Sequence, residues 1–206
     1  MRRAARRRLP IVLGKEHGES VLAMADAGYP TTATCIPPAG FGARHLLRVG
    51  AYAVALRRAL DEVEYGANEA NALISDIVFA SIMSARTALY RLGRLRHRDP
   101  LDGAMWSSRV AQHLYYTKPD WEMDDVPVVN GFGMDVSRCV IAEFFESLDM
   151  ADLCQRAICD QDIRSATHHG LVLERSGTLA GGAERCDFRY SVSDSDQPRQ
   201  PSDDVL

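Results

Sequence analysis

Between residues 43 and 96 apolar side chains recur at helical spacing with one break, at Gly66, and this stretch limits the possible folds more than any other. Leu46, Leu47, Ala51, Val54, Ala55 and Leu60 return every three or four residues, as on a buried helix face, while Arg57, Arg58, Asp61 and Glu62 form a wet side. That helix is expected over residues 43 to 63, and a second, longer one from Ala67 to Arg96. In the second, Leu73, Ile74, Ile77, Val78, Ile82, Met83, Leu89 and Leu92 cover most of the circumference, which predicts a helix buried in the middle of the fold. Asp76 and Arg86 on it are read as a solvated edge, with ligand contact as the alternative. Pro100 and Gly103 are expected to close the segment. A shorter helix over 104 to 113 then leads to Leu114-Tyr115-Tyr116 and Pro119-Asp120-Trp121, aromatics that either wall a pocket or cover the edge of a core. His113 is expected to be structural.

Residues 1 to 40 carry Gly14, Gly18, Gly28, Pro30, Pro37, Pro38 and Gly40, and read as an irregular N-terminal segment with at most a short helix over 19 to 27. The arginine-rich start is expected to be a frayed, solvated tail, or alternatively an electrostatic docking arm. The apolar run after it, residues 9 to 13, is too short for a signal sequence. No window is expected to approach a membrane span. With a net charge of −4, the chain does not favour nucleic acid or anionic membranes. Five cysteines without a secretory signal predict a cytoplasmic protein with reduced thiols. Residues 41 to 193 are expected to form one domain, and 194 to 206, acidic and proline-bearing, a disordered tail.

Four of the five cysteines fall between residues 135 and 190. Residues 126 to 136 alternate loosely and predict a strand. Ser137 suits an N-cap, and Ile141, Phe144, Phe145 and Leu148 make the apolar stripe of the helix after it. Cys139 then lies in the first turn, beside Arg138 and uncapped backbone N–H groups, a setting that favours thiolate. Glu143, one turn on, is within reach as a proton acceptor. The plain alternative for Cys139 is a small packing residue. A further helix over 150 to 168 has the stripe Met150, Leu153, Cys154, Ala157 and Ile158, which continues to Asp162. Cys154 is expected to be core, pointing away from Cys159. Cys159 shares a face with Asp162, so the two are a thiol and a base, or two groups gripping one ligand. Cys35 is expected to be incidental.

Residues 171 to 180 and 184 to 190 flank Gly181-Gly182, a hairpin signal with a two-residue turn. That register sets Gly177 opposite Cys186, Arg175 opposite Phe188 and Leu173 opposite Tyr190. One face then carries Leu171, Leu173, Arg175, Gly177, Leu179, Cys186, Phe188 and Tyr190, and should point inward. Arg175 there requires a carboxylate, from Asp162 or from an acidic ligand. His169 could relay a proton, or cap the helix. The cysteine spacing contains no Cys-x-x-Cys pair, which argues against structural zinc, and no phosphate loop or dinucleotide fingerprint is present, so no cofactor is expected.

Val136-Ser-Arg-Cys139 with Ala142-Glu143-Phe144-Phe145, then Cys159-Asp-Gln-Asp162, Leu173-Glu-Arg175-Ser-Gly-Thr178-Leu-Ala-Gly-Gly182 and Cys186-Asp187-Phe188, resemble the L-2-amino-thiazoline-4-carboxylic acid hydrolase family. The likeness is firm over about residues 130 to 190, looser over 45 to 125, and absent at both ends. The family commonly has proline after the first cysteine; Val140 stands there in this chain. The resemblance implies a hydrolase of cyclic amidines, acting on carbon–nitrogen bonds and turning 2-aminothiazoline-4-carboxylate into a carbamoyl-cysteine. It implies a thiolate attacking C2 of the ring, from Cys139 or alternatively Cys159 or Cys186, with Glu143 or Asp162 moving protons. Arg175, with Arg138 and Phe188 beside it, would hold the substrate carboxylate. A related heterocycle or biosynthetic intermediate is an alternative substrate, and a non-enzymatic small-molecule sensor is the competing class. The fold class expected is α+β: a helical first half packed on a small antiparallel sheet that ends in a C-terminal hairpin.

Overall fold

The structure, a computed structural model, describes residues 1–192; the expected disordered tail lies outside the described residues. It is α+β, with helices packed on a four-stranded antiparallel sheet of order β1-β2-β4-β3.

The N-terminal segment corrects the expectation of irregular chain. It forms α1 (Arg2–Leu13) and α2 (Lys15–Thr34), joined at Gly14, whose φ of 82° suits glycine. Gly18 is not a breaker here, since a Cβ on it would meet the backbone of Leu9 and Pro10 at 2.6–2.7 Å where the two helices cross. The basic start is likewise not a frayed tail. Ala5 and Leu9 are fully buried, and Arg2 and Arg8 reach Asp26 and Asp76 at 2.6 and 3.0 Å.

The two expected long helices are α3 (Phe41–Glu62) and α4 (Ala67–Arg96). Leu47, Ala51, Val54 and Leu60 of α3 are fully buried, as are Ile74 and Ile77 of α4. The last turns of α4 leave the core: Leu92 and Leu95 are 53% and 86% exposed, so the helix is not buried along its whole length. By length and composition α4 would suffice to cross a membrane, contrary to the sequence expectation, but its first half is packed inside this fold. Pro100 does not close the segment; it opens α5 (Pro100–Tyr115) behind the cap Asp99, whose carboxylate accepts the N–H groups of Leu101 and Asp102.

The strand expected over 126 to 136 is two strands, β1 (Trp121–Val128) and β2 (Gly131–Cys139), turning at Val129-Asn130 with Asn130 at φ 54°. Ser137 is therefore a strand residue, and Cys139 itself is the N-cap of α6 (Val140–Glu146). The helix expected over 150 to 168 is α7 (Ala151–Cys154), a π-helical turn (Gln155–Cys159) and α8 (Asp160–His168). In the C-terminal hairpin, β3 (Leu171–Glu174) pairs with β4 (Cys186–Val192), and Leu173 faces Tyr190 as expected. The pairing stops at Glu174. A loop with a 3-10 turn (Leu179–Gly181), capped by Thr178, replaces the two-residue Gly-Gly turn, and Gly177 meets Ala183 rather than Cys186.

Candidate active site

A cavity of about 280 Å³ lies between the sheet and the helices α3, α4, α5 and α8. The sheet supplies its floor. Val136, Met134 and Phe132 of β2 pair with Cys186, Phe188 and Tyr190 of β4, so period-two alternation turns all six toward the helices. Arg86 of α4 and Asp162 of α8 bring the cavity a charged pair, Nη1 to Oδ1 at 3.0 Å. Arg86 also donates to Tyr116, and both lie in the field that Asp162 and Tyr190 share. Burial pushes the two phenols up, so Tyr116 and Tyr190 stay protonated.

The thiols converge at one end. Cys139, Cys159 and Cys186 line the cavity, and Cys154 lies directly behind, hydrogen-bonded to Cys159. In an α-helix two residues five apart are rotated by about 140°, which is why Cys154 was expected to point away from Cys159. The π turn closes i→i+5 bonds over Gln155–Cys159, so the two sulfurs share a face instead. The Cys139 sulfur accepts the N–H groups of Ile141 and Ala142 at the start of α6, together with the Trp121 indole N–H. These donors favour the thiolate, but burial outweighs them and the thiol is pushed up. Burial also lifts Cys186 to about 11, although the Leu179 N–H reaches its sulfur at 3.2 Å. Cys154, 1% exposed, is held well up by its contact with Cys159 and by burial.

Of the residues singled out in the sequence, Cys139, Cys159, Asp162, Cys186 and Phe188 come together on the cavity wall. Glu143 and Arg138 do not. They pair with each other at 2.8 Å on the outer surface, and Arg138 donates to the Pro119 carbonyl as well. Arg175 corrects both sequence readings, because it meets neither Asp162 nor the cavity. Its side chain is 6% exposed, lies over the Phe188 ring at 5.6 Å, and donates to the Cys159 carbonyl at 3.2 Å and to Asp160 at 3.5 Å. It thus anchors the end of the π turn. Cys35, expected to be incidental, is exposed and remote.

Arg86, read first as a solvated edge, is the cavity's cation; its position on the apolar helix was the available signal. Tyr116 and Trp121 are wall residues, the less favoured of two readings. Gln161 was missed. It is 1% exposed, and its amide N–H₂ serves the carbonyls of Ser75 and Ala157 and the Ser75 hydroxyl, joining α8 to α4. His169 also lines the cavity, its ring 4.3 Å from that of Tyr90 at a tilt of 34°, and burial lowers its pKa so that it stays neutral.

A largely apolar cavity with one ion pair, three tyrosines and a cluster of thiols is a candidate small-molecule site on an α+β scaffold. A family model described as L-2-amino-thiazoline-4-carboxylic acid hydrolase matches residues 44–190. The chain belongs to that family. The match takes in every element from α3 to β4 that builds the cavity and leaves out α1 and α2. Comparisons with curated proteins and with solved structures gave no match.

Proposed function

We propose that the protein is a thiol-dependent hydrolase that opens a small cyclic amidine bearing a carboxylate, of the 2-aminothiazoline-4-carboxylate type. The observation that carries the reading is the Arg86–Asp162 pair facing Cys139 across one cavity. Such a substrate is a zwitterion. Its carboxylate suits Arg86 and its amidinium suits Asp162, so neither partner would be left with an unmatched buried charge.

Cys139 is the nucleophile in this reading, because it caps α6 at the cavity wall, where two backbone N–H groups of the helix start and the Trp121 indole N–H together favour its thiolate. Deprotonated on binding the cationic amidine, it adds to C2 of the ring. The bond from C2 to one ring heteroatom then breaks, and that atom takes a proton, with Tyr116 and Asp162 as the nearby carriers. Water adds to the same carbon, gives up its proton to the site, and the Cys139 thiolate leaves. The ring has gained one water. Asp162, not Glu143, is the carboxylate in position for proton transfer, and Arg175 acts through the backbone of Cys159 rather than on substrate.

A binding or sensor domain is the second reading, favoured by the burial that keeps Cys139 and Cys186 protonated. Five unpaired cysteines suit a reducing compartment such as the cytoplasm. Mass spectrometry of the protein incubated with 2-aminothiazoline-4-carboxylate, beside a Cys139→Ser variant, tests the proposal. Ring-opened product from wild type alone is expected. Product from both moves the role to Cys159 or Cys186, and saturable binding without product favours the sensor.

A further inference from the structure

We infer that the natural substrate carries an extended apolar substituent, aryl or branched alkyl, beyond the ring that is opened. This rests on the proposed ring-opening reading and names the substrate class for the same site. The floor of the cavity is longer than the reaction needs. Cys186 sits beside Val136, next to the thiols, and two further inward positions follow it on β4. At about 3.3 Å per residue, the four steps from Cys186 to Tyr190 span roughly 13 Å. A five-membered ring with an amine and a carboxylate, held between Cys139 and the Arg86–Asp162 pair beside Tyr190, takes up only part of a cavity of about 280 Å³ and leaves its Phe132 and Phe188 side to a further group.

The remainder is apolar and shaped. Phe132 stacks on Tyr190 at 4.7 Å with 12° between planes, and Phe188 lies parallel to Tyr190 at 6.3 Å and 5°. Across from them Leu89 of α4 and Ala104 and Ala111 of α5 line the cavity. Phe132, Phe188 and Tyr190 face the helices from the middle of the sheet, pack beside Ala104, Leu171 and Leu173, and keep partial exposure where they line the cavity. The small residues at 104 and 111 leave that volume open. An unsubstituted ring would leave this chamber wet or void, whereas a flat or branched apolar group would fill it.

The test is a series of 2-aminothiazoline-4-carboxylates bearing hydrogen, methyl, propyl or benzyl at C5. Affinity is read by calorimetry on the Cys139→Ser variant and kcat/KM on wild type. Affinity is expected to rise along the series, by about fourfold for each methylene buried. An Ala111→Trp variant should remove the benzyl gain. A flat or falling affinity series, or a benzyl preference untouched in Ala111→Trp, overturns the inference even if the parent ring is opened. A rising affinity series with no ring opening of any member supports the apolar chamber while sinking the hydrolase reading.

Discussion

Arg86 and Asp162 meet at 3.0 Å inside the cavity, although 76 positions separate them in the chain. One comes from the middle of α4 and the other from α8, two elements that also share the Gln161–Ser75 hydrogen bonds. Removing the cation leaves the carboxylate facing an apolar chamber alone. Arg86→Met is therefore expected to weaken binding of a carboxylate-bearing amidine by on the order of a hundredfold, measured by calorimetry. Unchanged affinity would remove Arg86 from the site.

Arg175 is expected to behave differently, since it holds backbone and not ligand. Arg175→Met leaves the Cys159 carbonyl without this donor and Asp160 with Arg156 alone, and should cost about 2–3 kcal/mol in thermal unfolding. In kinetics it should lower kcat through misplacement of the π turn while KM stays near wild type. A large rise in KM with normal stability would instead make Arg175 a substrate contact.

Burial raises the Cys139 pKa, so the thiolate form is populated only above the ordinary thiol value of about 8.5. The rate-bearing species is the deprotonated one. Hence kcat/KM should climb with pH through and past that value, and fall away on the acid side. Trp121→Phe removes one donor to the sulfur and should push the inflection further up. A profile that is level from pH 6 upward in both proteins would contradict this account.

The crossing of α4 and α5 depends on Gly93, where an added Cβ would run into the Gly103 carbonyl oxygen and the Ser107 hydroxyl. Ser107 already bonds the carbonyls of Gly103 and Leu89 at 2.8 and 3.1 Å, so the backbones have no slack. Gly93→Ala is expected to destabilise by about 1–3 kcal/mol in denaturant titration and to disturb the Leu89 side of the cavity. A neutral or stabilising result would mean the helices separate without cost.

The sequence by itself determined the elements whose signals are local. Repeating apolar positions placed α4 from Ala67 to Arg96 and α3 within two residues at its start. Counting outward from Gly181-Gly182 set Leu173 against Tyr190, although the turn itself is a longer loop, and alternation turned Cys186, Phe188 and Tyr190 inward. Cys139 beside a helix start was legible too, though the cap is the cysteine and not Ser137. Only the tertiary structure decided which charges meet. Arg86 and Arg175 each lie on an otherwise apolar face, of a helix and of the hairpin pattern respectively, and nothing local says that the first takes Asp162 while the second takes Asp160 and a carbonyl. It also turned the glycine-marked N-terminus into two helices, because the close packing of Gly18 on Leu9 and Pro10 is a contact between segments. The π turn completes the list. One residue of extra winding between Cys154 and Cys159 brings their sulfurs together, in a segment packed against α4, and the apolar periodicity of that segment carries no sign of it.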